Sequence, residues 1–173
     1  MKKWFVSAKK ADFTEIGKKF HITPMTARII RNRDVVGEEQ IRKYLHGSTA
    51  DLYSPWELSG MKDGISLLQQ AVAGGEKIRV IGDYDIDGVC ATYILLTGLK
   101  KIGANVDTVI PDRIKDGYGI NEHLIDGAKK DGIQVIVTCD NGIAASSQIA
   151  YAKELGMKVI VTDHHEVPYE EIE

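Results

Sequence analysis

The chain has 173 residues, 43% of them hydrophobic and 27% charged, with a formal net charge of −3. Those values fit one folded domain, or one domain with a small appendage. They exclude a disordered tail, a collagenous chain and, since no run approaches roughly 18 apolar residues, a membrane-spanning helix.

Residues 1–43 read as a helical segment. Glu15–His21 and Met25–Arg31 have helix-turn-helix spacing across Ile22-Thr23-Pro24, where Thr23 is a cap and Pro24 suits a first helical turn. Residues 44–76 form a connecting loop and helix. Pro55 keeps Ser54 out of the helical basin, and the stripe Ile65, Leu68, Gln69 and Val72 ends at Gly74-Gly75. Over 77–173 the pattern becomes regular. Strands are expected at Lys77–Gly82, Asn105–Ile110, Gln134–Cys139 and Lys158–Thr162, and helices at about 89–101, 121–130 and 143–155. Near-continuous Val/Ile runs alternating with helices predict an α/β fold, a parallel sheet of βαβ units flanked by helices.

The charge is unevenly spread. Residues 1–50 hold 11 Lys and Arg against 5 Asp and Glu, whereas residues 51–173 hold 11 against 20. A basic lead-in before an acidic body can steer a polyanion toward an acidic site, although a lysine-rich surface is also simply well solvated. The start of the chain, Met1–Phe5, opens no apolar stretch of secretory length. Cys90 and Cys139 make no Cys-x-x-Cys, so both read as small core hydrophobes and a reducing cytoplasm is expected.

Three strand ends carry the chemistry. The first runs into Asp83-Tyr84-Asp85-Ile86-Asp87-Gly88, the third into Asp140-Asn141-Gly142 and the fourth into Asp163-His164-His165. Ligands of open α/β sheets bind outside the carboxyl ends of the strands. Crowded carboxylates repel one another unless a cation lies between them. Aspartates mixed with imidazoles suit Mn²⁺, Fe²⁺, Co²⁺ or Zn²⁺, whereas an all-oxygen set favours Mg²⁺ or Ca²⁺. There are enough carboxylates for two ions roughly 3.5–4 Å apart, the arrangement that displaces an oxygen at phosphorus. The plainer alternative makes Asp87 and Asp140 helix caps. A calcium loop is disfavoured because its twelfth position would be Ile94, and neither a dinucleotide fingerprint nor a P-loop occurs. After the second strand, Arg113 could grip a phosphate oxygen bidentately, with Gly117 and Gly119 permitting close approach.

In order, Asp83-Tyr84-Asp85-Ile86-Asp87-Gly88, Arg113 with Gly117-Tyr118-Gly119, Asp140-Asn141-Gly142 and Asp163-His164-His165 resemble the motifs of the DHH phosphoesterase superfamily. Within it they look like those of the RecJ-like single-stranded-DNA exonucleases, most specifically from Arg79 to Pro168. The resemblance implies a hydrolase using Mn²⁺ or Mg²⁺ to degrade single-stranded DNA from 5′ to 3′ in repair and recombination. A single-stranded-DNA-binding protein and a repair helicase are implied partners. Asp83, Asp85, Asp140 and His164 match the metal ligands. Asp87, His165 and Arg113 match catalytic positions: Asp87 and His165 orient phosphate and water or meet the second ion, and Arg113 neutralises charge on the phosphoryl group. Arg113, Gly117, Tyr118, Gly119, Asn141 and Gly142 would contact substrate, and Asp163 could hold an imidazole by its other ring nitrogen. Members of the family continue to a further Asp ligand and a second domain, while this chain ends eight residues after His165. The expectation is therefore an N-terminal portion with weak metal binding and little activity alone. The alternatives are a phosphoesterase for short oligonucleotides or cyclic dinucleotides, and a non-catalytic nucleic-acid or protein binding module.

Overall fold

A computed structural model describes residues 3–5 and 9–168; the remainder of the expected segments 1–43 and 77–173 lies outside the described residues. The chain forms two compact units dividing between Leu58 and Ser59, inside the stretch expected to connect two domains.

The first unit is helical. Asp12 opens α1 (Phe13–Phe20) by accepting from the N–H groups of Thr14 and Glu15 at 3.1 and 2.9 Å. Thr23 caps α2 (Pro24–Asn32), and Pro24 occupies its first turn. Gly17 lets the two helices close up, since a Cβ there would lie 2.8 Å from the Ile22 carbonyl oxygen. α3 (Glu38–His46) takes in Tyr44–His46, which the sequence pattern assigns to the connector. Its only buried residue is Ile41, so its apolar stripe is too thin to stand out. Among the described residues of this unit, Ala27, Ile30 and Ile41 are the buried apolar ones.

The second unit begins with α4 (Met61–Ala73), whose Ala71 packs against the sheet. Gly75, at φ 67°, allows the N–H of Glu76 to bond back to Ala71 and turn the chain into β1 (Lys77–Ile81). There follow α5 (Ile86–Lys101), β2 (Asn105–Val109), α6 (Glu122–Lys130), β3 (Val135–Cys139), α7 (Ser146–Glu154) and β4 (Lys158–Thr162). The four strands are parallel in the order β2-β1-β3-β4. β1 and β3 are central, which is why their Val/Ile runs are buried on both faces.

Alternate residues divide the core. Ile78, Val80, Val135, Val137 and Cys139 pack with Ala71 of α4 and Leu99 of α5. Ile81 and Ile136 pack with Ile125 and Ala128 of α6 and Ala152 of α7. Right-handed crossovers explain this division into a three-layer sandwich. The order also reverses between β1 and β3: α5 carries the chain out to β2, and α6 brings it back past β1. A crevice opens at such a switch point, at the carboxyl ends of the strands.

A charged group lies inside the sheet. Arg79 of β1, 8% exposed, donates to both carboxylate oxygens of Asp107, its register partner on β2, at 2.8 and 2.6 Å. It also donates to Asp131 at 3.0 Å. Asp107 raises the Arg79 pKa against the effect of burial, and Asp131 adds to the rise. α5, in contrast, carries apolar residues on its solvent side, and Cys90 there is exposed rather than a core hydrophobe. Cys139 is buried as expected.

Candidate metal centre

The loop after β1 is held tightly against α5. A Cβ on Gly88 would lie 2.7 Å from the Asp83 carbonyl oxygen and 2.8 Å from the Asp83 Cβ, and one on Gly82 would lie 1.9 Å from Thr92 Oγ1. Thr92 donates to the Gly88 carbonyl at 2.7 Å. These contacts bury Asp83 to 1% exposure beneath the first turn of α5. The cap of α5 is Asp85 rather than Asp87: its carboxylate accepts from the Gly88 N–H at 3.1 Å, which holds its pKa below the ordinary value. Asp87 projects from the first turn, exposed, with Oδ2 3.7 Å from His164 Nε2.

Across the crevice, Asp140 follows β3 in a left-handed conformation (φ 61°) and does not cap α7, which starts at Ser146. Its carbonyl oxygen accepts from Tyr118 Oη at 2.9 Å. Burial raises the Asp140 pKa, the charges of Asp87 and Asp85 add to the rise, and His164 opposes it. His164 Nε2 lies 2.9 Å from Asp140 Oδ1, yet that oxygen accepts no aligned hydrogen bond. Asp83 Oδ1 is likewise buried and unpaired among the described residues.

Asp163, after β4, is a brace. Its Oδ2 accepts from the Ile143 N–H at 3.0 Å. Its Oδ1 accepts from the N–H groups of His164 (2.8 Å) and His165 (3.2 Å) and lies 2.6 Å from His165 Nδ1. Burial raises its pKa, but the Ile143 N–H and the His165 ring and main-chain bonds more than offset this, and the net shift is downward. The same bond to Asp163 raises the His165 pKa. With its hydrogen on Nδ1 toward Asp163, the His165 ring keeps the lone pair of Nε2 available.

Two sets of donor atoms result, each within 4.8 Å: Asp83, Asp85 and Asp140, and Asp140, His164 and His165. Asp140 is common to both. Buried carboxylate oxygens without a hydrogen bond are costly, and two of them facing neighbouring carboxylates and imidazoles fit divalent cations better than any internal partner. The oxygen-only set and the mixed set have the chemistry of hard and borderline ions respectively.

The remaining expected positions border these sets. Arg113 lies with its guanidinium carbon 5.0 Å from the centre of the Tyr84 ring, and Tyr84 meets Tyr118 edge-on at 6.5 Å. Burial and the carboxylates of Asp163, Asp83, Asp140 and Asp85 push the Tyr118 pKa up to about 12, so the phenol stays a donor. Gly117 and Gly119 have φ 76° and 71°, as their loop requires. Gly142, at φ 111°, sits where a Cβ would lie 2.7 Å from Thr138 Oγ1. Asn141 is fully buried, with its amide bonded to main-chain groups rather than turned toward the crevice. Beside His165 lies a half-open pocket of about 390 Å³ lined by Tyr118, Ile120, Gly142, Ile143, Ala145 and Gln148. Thr92 and the packing roles of Gly82 and Gly88 have no signature in the sequence pattern beyond a glycine on each side of the acidic run.

Residues 77–173 match the DHH family, N-terminal domain. The chain belongs to the DHH family. Over 149 residues it is 46% identical to the single-stranded-DNA-specific exonuclease RecJ of Bacillus subtilis, covering 86% of this chain and 19% of that protein. Over 146 residues it is 35% identical to RecJ of Escherichia coli, covering 83% of this chain and 24% of the other. Among solved structures, exonuclease RecJ bound to manganese superposes with a TM-score of 0.63 at 35% identity, over 69% of this chain and 31% of that one. RecJ from Thermus thermophilus in complex with Mn²⁺ gives 0.62 at 28% identity, over 91% and 22%. The DHH chain thus spans about a fifth to a quarter of the curated relatives it matches.

Proposed function

We propose that this chain is the metal-binding portion of a RecJ-like enzyme that hydrolyses phosphodiester bonds of single-stranded DNA from the 5′ end. The observation that carries the reading is the pair of donor sets sharing Asp140, with a buried unpaired oxygen on Asp83 and a buried Asp140 oxygen 2.9 Å from His164 Nε2. Asp83, Asp85 and Asp140 would hold one Mn²⁺ or Mg²⁺ ion, and Asp140, His164 and His165 a second. Bound there, the ions would supply Lewis acidity to the scissile phosphate and make water more acidic.

The chain's own residues do the rest. Asp163 fixes the His165 ring and its tautomer, and Tyr118 fixes the Asp140 main chain. Asp87, exposed beside His164, is placed to orient a water or accept its proton. Arg113, held over Tyr84 at the rim, would pair with a phosphate oxygen through two parallel N–H bonds. Gly117, Tyr118, Gly119 and Gly142 shape the wall along which the strand runs. The basic segment 1–50 would steer DNA toward an otherwise acidic surface. A single-stranded-DNA-binding protein and a repair helicase are proposed partners.

The test is Mn²⁺ titration of the chain by calorimetry, with 5′-labelled single-stranded DNA digestion followed in parallel. The expected result is saturable Mn²⁺ binding that Asp140→Ala abolishes and His164→Ala lowers by the ion that depends on the imidazoles, with at most slow nucleotide release. Unchanged binding in those variants would remove the basis of the reading. Rapid processive digestion by this chain alone would refute the expectation of little activity.

A further inference from the structure

We infer that Asn141 is a positioning residue: it sets the spacing between the carboxylates of β1 and those of β3, and so the geometry in which Asp140 serves both cation sets. The inference rests on the metal-binding reading above.

The last registered pair of the central ladder is Ile81 with Thr138. Beyond it the two chains diverge, β1 into Gly82 and Asp83 and β3 into Cys139 and Asp140, and the crevice opens between them. Main-chain carbonyls at such a divergence lose their ladder partners, and buried they need others. Asn141 supplies them. Its Nδ2 donates one hydrogen to the Ile81 carbonyl at 3.1 Å and the other to the Cys139 carbonyl at 2.9 Å. Its Oδ1 accepts from the Ile120 N–H at 3.2 Å. The side chain thus acts as one more rung where the ladder has ended, and it is completely buried.

Each anchor point adjoins a donor residue. Ile81 is two residues before Asp83, and Cys139 immediately precedes Asp140. Ile120 ends the Gly117-Tyr118-Gly119 loop, whose Tyr118 hydroxyl in turn donates to the Asp140 carbonyl. Gly119 rests directly on the rung, since a Cβ there would lie 3.2 Å from the Asn141 Cβ. The left-handed conformation of Asp140 sends the Asn141 side chain back between the strands while the Asp140 carboxylate faces the crevice. Only an amide of this length, with two donors and an acceptor, can meet two carbonyls and an N–H at once.

A merely stabilising residue and a positioning one differ in what their loss does to cation binding at equal stability. The experiment is a titration of the full chain with Mn²⁺, free ion being followed by its six-line electron paramagnetic resonance signal. It compares wild type, Asn141→Ala and Asn141→Ser. Ile136→Val, a buried apolar change on β3 at a residue that makes none of the rung's hydrogen bonds, supplies a destabilised control with an intact rung. Asn141→Ala is expected to weaken Mn²⁺ binding by about tenfold or more, as loss of a supporting partner does at metal sites, with Asn141→Ser intermediate and Ile136→Val near wild type. Wild-type affinity in folded Asn141→Ala, or equal weakening in Ile136→Val, overturns the inference. Should Asn141→Ala fail to fold, Asn141→Ser and Gly119→Ala, which presses on the rung from outside, carry the same comparison. Asp83→Asn and Asp140→Asn separate the two levels. If they lose Mn²⁺ while Asn141→Ala keeps it, the rung alone fails; if they keep it, the metal-binding reading fails and the inference falls with it.

Discussion

Replacing Asp163 by Asn keeps the shape of a side chain that is only 2% exposed but removes its charge and one acceptor oxygen. Asp163 takes four hydrogen bonds, three at Oδ1 from His164 and His165 and one at Oδ2 from the Ile143 N–H. If the Asn oxygen stays with the histidines, its amide nitrogen opposes the Ile143 N–H. One charge-assisted bond worth about 1.5–3 kcal/mol is then lost and three others are weakened. The expected cost is about 2–4 kcal/mol, a fall in melting temperature of roughly 5–15 °C for a chain of this size. The pH dependence gives a sharper signature. The Asp163 pKa is lowered from 3.8, so its contribution is complete above that value and fades as pH falls through the folded value. The His165 pKa is raised from 6.5, so its contribution is complete below that value and fades as pH rises through the folded one. The melting-temperature gap between wild type and Asp163→Asn, measured by circular dichroism in chelator, should therefore be widest between those two values and narrow on either side. A gap that is absent, or constant from about pH 3 to about pH 8, refutes the assignment of Asp163 as the brace of the histidine pair.

Mn²⁺ at a hundred times its dissociation constant should stabilise the chain by about 2.7 kcal/mol, seen as a rise in melting temperature of roughly 5–10 °C. Asp83→Asn, by removing a buried unpaired carboxylate, should melt higher than wild type in chelator and show a smaller rise with Mn²⁺. Gly88→Ala should cost about 2–4 kcal/mol in urea unfolding and also weaken Mn²⁺ binding, because the new Cβ collides with Asp83 itself. Arg79→Met should cost about 1–3 kcal/mol, limited because Asp107 and Asp131 are half exposed and can hydrate, and should leave Mn²⁺ binding unchanged. Arg113→Ala should weaken binding of single-stranded DNA about tenfold by fluorescence anisotropy without altering Mn²⁺ affinity, since it touches the Tyr84 ring and not the donor sets.

The sheet and its crossovers were legible because central parallel strands are buried on both faces, and the runs at 78–81 and 135–139 are largely Val and Ile despite Arg79 and Thr138. The acidic and histidine-bearing strand ends were legible for a related reason: polar residues directly after a buried strand can only lie at its mouth. Helix starts were less so. α5 begins at Ile86, ahead of its expected start, because Asp85 supplies the cap. α7 begins at Ser146, later than expected, because Gly142 takes φ 111° and Asp163 claims the Ile143 N–H. The Arg79–Asp107 pair and the Asn141 rung depend on which strands are neighbours, and strand order is a long-range property that local pattern does not encode. The family resemblance puts Asn141 in contact with substrate, whereas its three main-chain partners hold it in the interior.

Both histidines hang from β4, an edge strand paired on one side only, whereas Asp83, Asp85 and Asp140 follow the two strands at the centre. Edges open at lower free energy than centres. Local opening of β4 would remove the imidazole half of the site while the carboxylate half survives, so the two cations need not be lost together. Mild denaturant should strip the ion that depends on the histidines first and the other only on global unfolding. The position of one strand in the sheet would thus rank the two ions by lifetime.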